Sequence, residues 1–225
     1  HWGSRIIIKN NQLYAGFGER DEGMVAQDPS KHPGSIIRIN TDGSVPKDNP
    51  AFVGYDKWLP EIFQIGLRNP QGITISPHND KIYISQHGPR GGDNIGMVTS
   101  GGNFGWKDIA WGGTEYSGFK IGKEAFKNIY DKPLISWVPS IGIGNIAFYK
   151  GKMFPEWEGD LIISATKAKL LARLILNDDK IIHVESIIYE NKKIGRVRDF
   201  EIDKDGNIFL ITDEENSSLW IISRN

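Results

Sequence analysis

One short pattern occurs four times along this chain, and it constrains the fold more than any other feature. Each copy has an apolar strand, a turn rich in Asn, Asp, Gly or Lys, a second apolar strand and then polar residues. The copies are IIIKNNQLYAGFGE, ITISPHNDKIYISQHG, IAFYKGKMFPEWEGDLIISATK and FEIDKDGNIFLITDE. Helical periodicity is almost absent, so the sequence predicts an all-β chain.

Strand–turn–strand units of irregular length are typical of β-propeller blades that carry loop insertions. The pattern therefore predicts about four propeller blades, which form a single domain over residues 1–225. A β-sandwich is the alternative, but it explains less well why each unit ends in charged residues. Residues 46–60 and 107–134 have no strong period and are predicted to be long loops, and the glycine-rich segment 101–106 a tight turn.

The composition excludes several classes of function. The formal net charge of −1 provides no global field for nucleic acid or a membrane surface. No apolar run approaches the length of a membrane span. The chain has no cysteine, so it has no disulfide framework. It starts abruptly at His1 and runs straight into a strand, from which we expect a truncated N terminus.

Polar side chains flank the first two strands of each unit. Since the first strand of each propeller blade lines the central channel, these groups are expected to converge. Four cations in one channel with few carboxylates would repel one another, which predicts a ligand with several negative groups. The flanking residues are His1, Arg5, Glu19, Arg68, Asn69, His87, Gly88, Pro89, Ser140, Asn145, Lys167, Arg196, Arg198 and Asp213, and the four cations are Arg68, Lys167, Arg196 and Arg198.

Each of these residues also has a purely structural interpretation. Arg196 and Arg198 could belong to a strand with surface ion pairs. Lys167 lies in a Lys-Ala-Lys run that is typical of a solvated turn, and His87 could be a structural hydrogen-bonding residue. An N-terminal histidine such as His1 could instead chelate copper through its amine and its ring, which would require a second histidine facing it.

Seven motifs occur in one order over nearly the whole chain. They are His1-x-x-x-Arg5, Gly66-x-Arg68-Asn69-Pro70-Gln71-Gly72, His87-Gly88-Pro89-Arg90-Gly91-Gly92-Asp93, Gly101-Gly102-Asn103-Phe104-Gly105-Trp106, Ala165-Thr166-Lys167, Arg196-Val197-Arg198-Asp199 and Leu210-Ile211-Thr212-Asp213. In this order the motifs resemble the soluble PQQ-dependent aldose sugar dehydrogenases of the glucose/sorbosone dehydrogenase family. Members of that family are six-bladed β-propellers.

The resemblance implies oxidation of the C1 hydroxyl of aldose sugars to lactones, by hydride transfer to pyrroloquinoline quinone (PQQ). His1 falls on the family's general base, and Glu19 falls where a carboxylate orients that histidine. Arg68 and Asn69 fall where the quinone oxygens are polarised, so Arg68 is also expected to act in catalysis. The resemblance further implies a periplasmic or secreted location.

The resemblance also implies how the cofactors are held. It places Lys167, Arg196 and Arg198 on the PQQ carboxylates, His87 and Asp213 near the cofactor, and the backbone carbonyls of Gly88 and Pro89 on Ca²⁺. Asn94 stands where family members carry Glu at a second, structural calcium.

Other functions stay open at this point. The family has about two further blades before the catalytic histidine, so the expected partners are those N-terminal blades or a second copy of the chain, besides the sugar. The sequence specifies neither the sugar nor the electron acceptor. A propeller that binds a ligand without catalysis is one alternative, and a calcium-dependent lactonase-type hydrolase is another.

Overall fold

The computed structural model describes residues 1–178, 180–189 and 193–224. Its regular structure is almost entirely β, with two short 3₁₀ helices at Gly23–Gln27 and Pro155–Trp157. The strands are β1 (Ser4–Lys9), β2 (Gln12–Phe17), β3 (Ile36–Asn40), β4 (Ile62–Ile65), β5 (Pro70–Ile75), β6 (Ile82–Gln86), β7 (Asp93–Met97), β8 (Gly102–Asn103), β9 (Ile135–Trp137), β10 (Ile143–Phe148), β11 (Leu161–Ala165), β12 (Leu170–Asn177), β13 (Lys180–Tyr189), β14 (Val197–Ile202), β15 (Ile208–Thr212) and β16 (Leu219–Ile222).

These strands form four sheets, and each sheet contains one of the four repeated hairpins. The strand orders are β1-β2-β3-β4-β8, β5-β6-β7-β9, β10-β11-β12-β13 and β14-β15-β16. The predictions of an all-β chain and of about four blades are therefore confirmed. Within the described residues, no helix has the length and apolar character needed to cross a membrane.

The chain divides into two compact units. The first comprises residues 1–71 and 86–140, and the second comprises residues 72–85 together with the described residues from 141 onward. The expectation of a single domain over residues 1–225 stays a prediction.

The hairpin of β1 and β2 shows how the repeated pattern encodes its structure. Lys9 pairs with Gln12, which leaves Asn10 and Asn11 as a two-residue loop. Their φ angles are 50° and 58°, and asparagine tolerates this left-handed region better than most residues. The hairpin leads from His1, just before β1, to the polar residues that follow β2.

Three strands of the first unit, β4, β8 and β9, were not predicted. Strand β4 is buried along its whole length, so its four residues lack the alternation that marks a half-buried strand. Strand β8 pairs in parallel with it, through Gln64 with Gly102 and Ile65 with Asn103. The glycine-rich segment 101–106 is thus part of a sheet as well as a turn.

The second unit has an apolar core of buried side chains. Tyr149 is fully buried there; its hydroxyl donates to the carbonyl of Gly206 at 2.8 Å and accepts from the Phe154 amide at 3.0 Å. Burial of so much aromatic and aliphatic surface fixes the strand ends from which the polar residues project. The core consists of Tyr149, Phe154, Ile162, Leu171, Val197, Phe200, Ile208 and Leu210.

Candidate active site

The Glu19 carboxylate directly after β2 is buried and held at both oxygens. Its side chain is 1% exposed. Oε1 contacts Nδ1 of His1, and Oε2 accepts from the Gly23 amide at 2.8 Å. Since an ionised carboxylate can only accept hydrogen bonds, Nδ1 of His1 carries the proton. In the neutral imidazole the lone pair is therefore on Nε2.

The backbone around His1 is fixed by two glycines and an asparagine. The Gly3 amide donates to Oδ1 of Asn69 at 2.9 Å, and the Gly18 amide donates to the carbonyl of Gly3 at 2.9 Å. A Cβ on Gly18 would lie 2.1 Å from the His1 carbonyl oxygen, so a larger residue there would displace His1. Arg20 adds a hydrogen bond from Nη1 to the same carbonyl at 2.9 Å.

Arg68 is a buried cation whose Nε has no acceptor among the described residues. Its side chain lies against the Trp106 ring, with 5.1 Å between Cζ and the ring centroid. Nη1 donates to the carbonyls of His87 and Gly88 at 3.2 and 3.0 Å. Nε is buried and has no hydrogen-bond partner among the described residues. A buried donor on a charged group without an acceptor is costly, so we expect a bound ligand or an ordered water to supply one.

His1, Glu19 and Arg68 line one pocket of about 200 Å³ in the first unit. The predicted catalytic residues His1, Glu19 and Arg68 are thus brought together. The pocket also contains residues that the sequence did not indicate, and three of them come from the predicted loop 107–134. The lining is completed by Asp21, Gly23, Trp106, Lys107, Glu115 and Tyr116.

Asn69 is oriented by its surroundings. Its Oδ1 accepts from the Gly3 amide and from Nε2 of Gln71, the latter at 3.1 Å. The carbonyl oxygen end of the side chain is therefore engaged within the protein. Its amide nitrogen is the end that could donate to a ligand.

The loop after β6 carries the residues predicted to ligate calcium. The Gly88 amide donates to Oδ1 of Asp93 at 2.8 Å, and Asp93 is 1% exposed. The Gly88 carbonyl accepts from Arg68 and thereby uses one of its two lone pairs. The calcium ligands Gly88 and Pro89 stay a prediction, and so does a role of His87 at the cofactor.

In the second unit, Asp213 lies between two predicted cofactor cations. Its Oδ2 is 3.1 Å from Nη2 of Arg196 and also contacts Nη2 of Arg198. The hydrogen bond from Arg198, followed by that from Arg196, lowers the pKa of Asp213 from its ordinary value of 3.8. Repulsion between the two guanidinium groups is thus offset, and the cluster keeps one net positive charge.

Lys167 lies at a neighbouring strand end of the same unit. It is exposed in the turn between β11 and β12. Ser164, near the end of β11, donates through Oγ to the carbonyl of Arg198 at 3.4 Å. Lys167 and Arg198 therefore extend from adjacent strand ends. The prediction that they share one cavity with Arg68 stays a prediction.

A family model described as Glucose / Sorbosone dehydrogenase matches residues 1–221. The chain belongs to this family. It is 34% identical over 227 residues to the aldose sugar dehydrogenase YliI of Escherichia coli K12. This alignment covers 99% of this chain and 60% of the relative. It is 27% identical over 240 residues to quinoprotein glucose dehydrogenase B of Acinetobacter calcoaceticus. This second alignment covers 83% of this chain and 49% of the relative.

A solved structure of a glucose dehydrogenase is similar in both sequence and fold. It has 34% identity and a TM-score of 0.92, and the match covers 100% of this chain and 65% of that one. Together with the four sheets, this likeness confirms the predicted fold class. This chain thus spans about half to two thirds of the length of these relatives.

Proposed function

We propose that this chain carries the catalytic residues of a PQQ- and Ca²⁺-dependent dehydrogenase that oxidises the C1 hydroxyl of aldose sugars to lactones. The observation that carries the proposal is the buried Glu19 carboxylate that holds His1 beside Arg68 in one pocket. Membership of the family and relatives named as sugar or quinoprotein dehydrogenases support it. The family likeness is also the basis for expecting a periplasmic or secreted location, which cell fractionation would test.

His1 acts as the general base. Its Nε2 accepts the proton of the C1 hydroxyl as the C–H bond at C1 breaks, and the positive charge that develops on the imidazole is stabilised by Glu19. A positioned base of this kind contributes about 10²- to 10⁴-fold to a rate. PQQ, when bound, supplies the acceptor for the hydride from C1.

Arg68 and Asn69 would hold the quinone oxygens. Their fit rests on two features of the first unit. Nε of Arg68 has no partner among the described residues, and Asn69 keeps its amide nitrogen as a donor because its oxygen is engaged within the protein. Donors aimed at a position where negative charge develops stabilise the transition state without reorganisation at that moment. Arg68 is held in place by the carbonyls of His87 and Gly88, which makes it a pre-oriented donor.

The second unit would hold the carboxylates of PQQ. Arg196 and Arg198 are planar donors, and Lys167 provides a point charge. The cluster with Asp213 has one net positive charge, which suits an anion. The backbone carbonyl oxygens of Gly88 and Pro89 are hard ligands, which suit Ca²⁺.

The decisive experiment adds PQQ with Ca²⁺ to the purified protein and follows reduction of a dye that depends on an aldose. Binding of PQQ is measured in parallel, in the unmodified protein and in the Arg68→Ala and Lys167→Ala variants. We expect sugar-dependent dye reduction, and weaker PQQ binding in both variants. Absence of PQQ binding would refute the proposal.

The same experiment separates the alternative functions. Calcium-dependent PQQ binding without dye reduction would favour a non-catalytic binding propeller. Hydrolysis of a lactone that needs Ca²⁺ but not PQQ would favour a lactonase-type hydrolase, which has no need to hold a tricarboxylate.

A further inference from the structure

Three side chains line the pocket of His1 but have no part in the proton transfer. They are Lys107, Glu115 and Tyr116, and all three belong to the segment that follows Trp106. The pocket has a volume of about 200 Å³. In the proposed function Arg68 holds the quinone on one side of this pocket, and the sugar lies against His1 on the side lined by Lys107, Glu115 and Tyr116.

Lys107 and Glu115 form an ion pair at the rim of this pocket. Nζ of Lys107 is 2.7 Å from Oε1 of Glu115, and the two side chains are 40% and 31% exposed. The stem of Lys107 passes close to Gly23, because a Cβ placed there would lie 3.0 Å from Cδ of Lys107. A carboxylate offers about four acceptor positions, so one lysine leaves Glu115 capacity for hydroxyl groups.

Tyr116 is presented by a short, anchored hairpin. Thr114 and Lys120 form an isolated bridge, and the Glu115 amide donates to the carbonyl of Phe119 at 2.9 Å. The Thr114 carbonyl in turn accepts from the Arg90 amide at 3.0 Å. Tyr116, at the tip, is 72% exposed. The hairpin therefore holds an aromatic face in water at the mouth of the pocket.

The charges around the pocket nearly balance. Glu19, Asp21 and Glu115 are opposed by Arg68 and Lys107. An anionic sugar would meet the carboxylates of Asp21 and Glu115 at the open side, which disfavours it. A neutral sugar can instead donate its hydroxyl protons to Glu115 and place the apolar face of its ring on an aromatic side chain.

We propose that Glu115 and Tyr116 form a specificity subsite that binds the end of a neutral aldose far from C1, with Lys107 as the residue that positions Glu115. This inference rests on the proposed function, because it assigns the distal end of the same substrate. The subsite accepts ring hydroxyls at the carboxylate and a C–H face at the tyrosine.

Steady-state kinetics of the PQQ- and Ca²⁺-loaded protein test the carboxylate. Glucose is compared with analogues that each lack one hydroxyl, in the unmodified protein and in Glu115→Gln. We expect Glu115→Gln to raise KM for glucose about ten- to hundredfold, and to leave KM unchanged for the analogue that lacks the bound hydroxyl. Glu61→Gln, in an ion pair with His32 outside the pocket, is the control.

Saturation-transfer NMR on the protein without cofactor tests the tyrosine. We expect glucose protons far from C1 to receive the strongest transfer, and Tyr116→Ala to abolish this contrast. Phe119→Ala is the matched control, since Phe119 lies on the same hairpin, is 76% exposed and does not line the pocket.

The outcomes separate the two proposals. Absence of turnover with any aldose in the unmodified protein would refute the proposed function. The comparison of saturation transfer with and without Tyr116→Ala would then decide whether the subsite binds glucose. Two results would overturn the subsite alone. One is turnover in which Glu115→Gln changes KM by the same factor for glucose and for every analogue. The other is stronger saturation transfer to the protons far from C1 that survives Tyr116→Ala.

Discussion

Replacing Glu19 by glutamine tests the role of the buried carboxylate with almost no change of shape. The glutamine carbonyl can still accept from the Gly23 amide, which Glu19 now does at 2.8 Å. Its NH₂ group must then face Nδ1 of His1. Two donors cannot share that contact, so the imidazole moves its proton to Nε2. In that tautomer Nε2 cannot accept the proton of the sugar.

The size of the effect follows from the contacts that change. A hydrogen bond to a charged group contributes about 1.5–3 kcal/mol, and a buried donor left unsatisfied costs about 1–3 kcal/mol. Restoring the active tautomer must overcome the sum of the two contributions, about 2.5–6 kcal/mol, which corresponds to a loss of about 10²- to 10⁴-fold in kcat. This matches the contribution of a positioned general base.

The assay measures kcat by dye reduction and PQQ affinity by titration. Glu19→Gln should lose turnover while PQQ affinity and the melting temperature stay close to those of the unmodified protein. Glu61→Gln is the control, because Oε1 of Glu61 lies 2.7 Å from Nε2 of His32 in a second His–Glu contact of this unit. This variant should leave kcat unchanged. A kcat near normal in Glu19→Gln would refute the tautomer argument, and parallel loss of PQQ affinity would assign Glu19 a structural role.

Three further perturbations have defined outcomes. His1→Ala should abolish dye reduction with nearly unchanged PQQ affinity in a titration, and loss of both would mean that His1 is structural. Gly88→Ala should weaken Ca²⁺-dependent PQQ binding about tenfold or more, because its Cβ would lie 2.3 Å from the Gly91 carbonyl oxygen; unchanged binding would contradict the calcium assignment. Asp108→Asn should lower stability to urea by about 1 kcal/mol at neutral pH. Hydrogen bonds from Lys127 and then Tyr130 lower the pKa of Asp108, so the difference from the unmodified protein should shrink as the pH falls below 3.8, and a difference that grows in acid would contradict this.

Local signals in the sequence were sufficient for the repeated hairpins. Alternating apolar residues and turns such as Asn10-Asn11 encode a strand pair within one short stretch, so the four units and their fold class could be predicted. Strand β4 could not, because its residues are buried on both faces and its partner β8 lies far along the chain. Pairing of distant segments has no signature in either segment alone.

The candidate site likewise contains residues that the sequence indicated and residues that it did not. The contact of His1 with Glu19 was expected from the family motifs, and the structure places the two residues together. Lys107, Glu115 and Tyr116 lie in a segment without periodicity, where the sequence gives no indication of which side chains face the pocket. The position of Asp213 between Arg196 and Arg198 was equally hidden, because it depends on how β14 and β15 pair.

The shared carboxylate of Asp213 has a consequence for the order of maturation. Two partly solvent-exposed guanidinium groups side by side repel each other by about 1 kcal/mol or less. Because Asp213 offsets this repulsion within the chain, the cluster needs no bound anion to neutralise it. If the chain binds PQQ as proposed, the quinone can then be delivered after the polypeptide has folded.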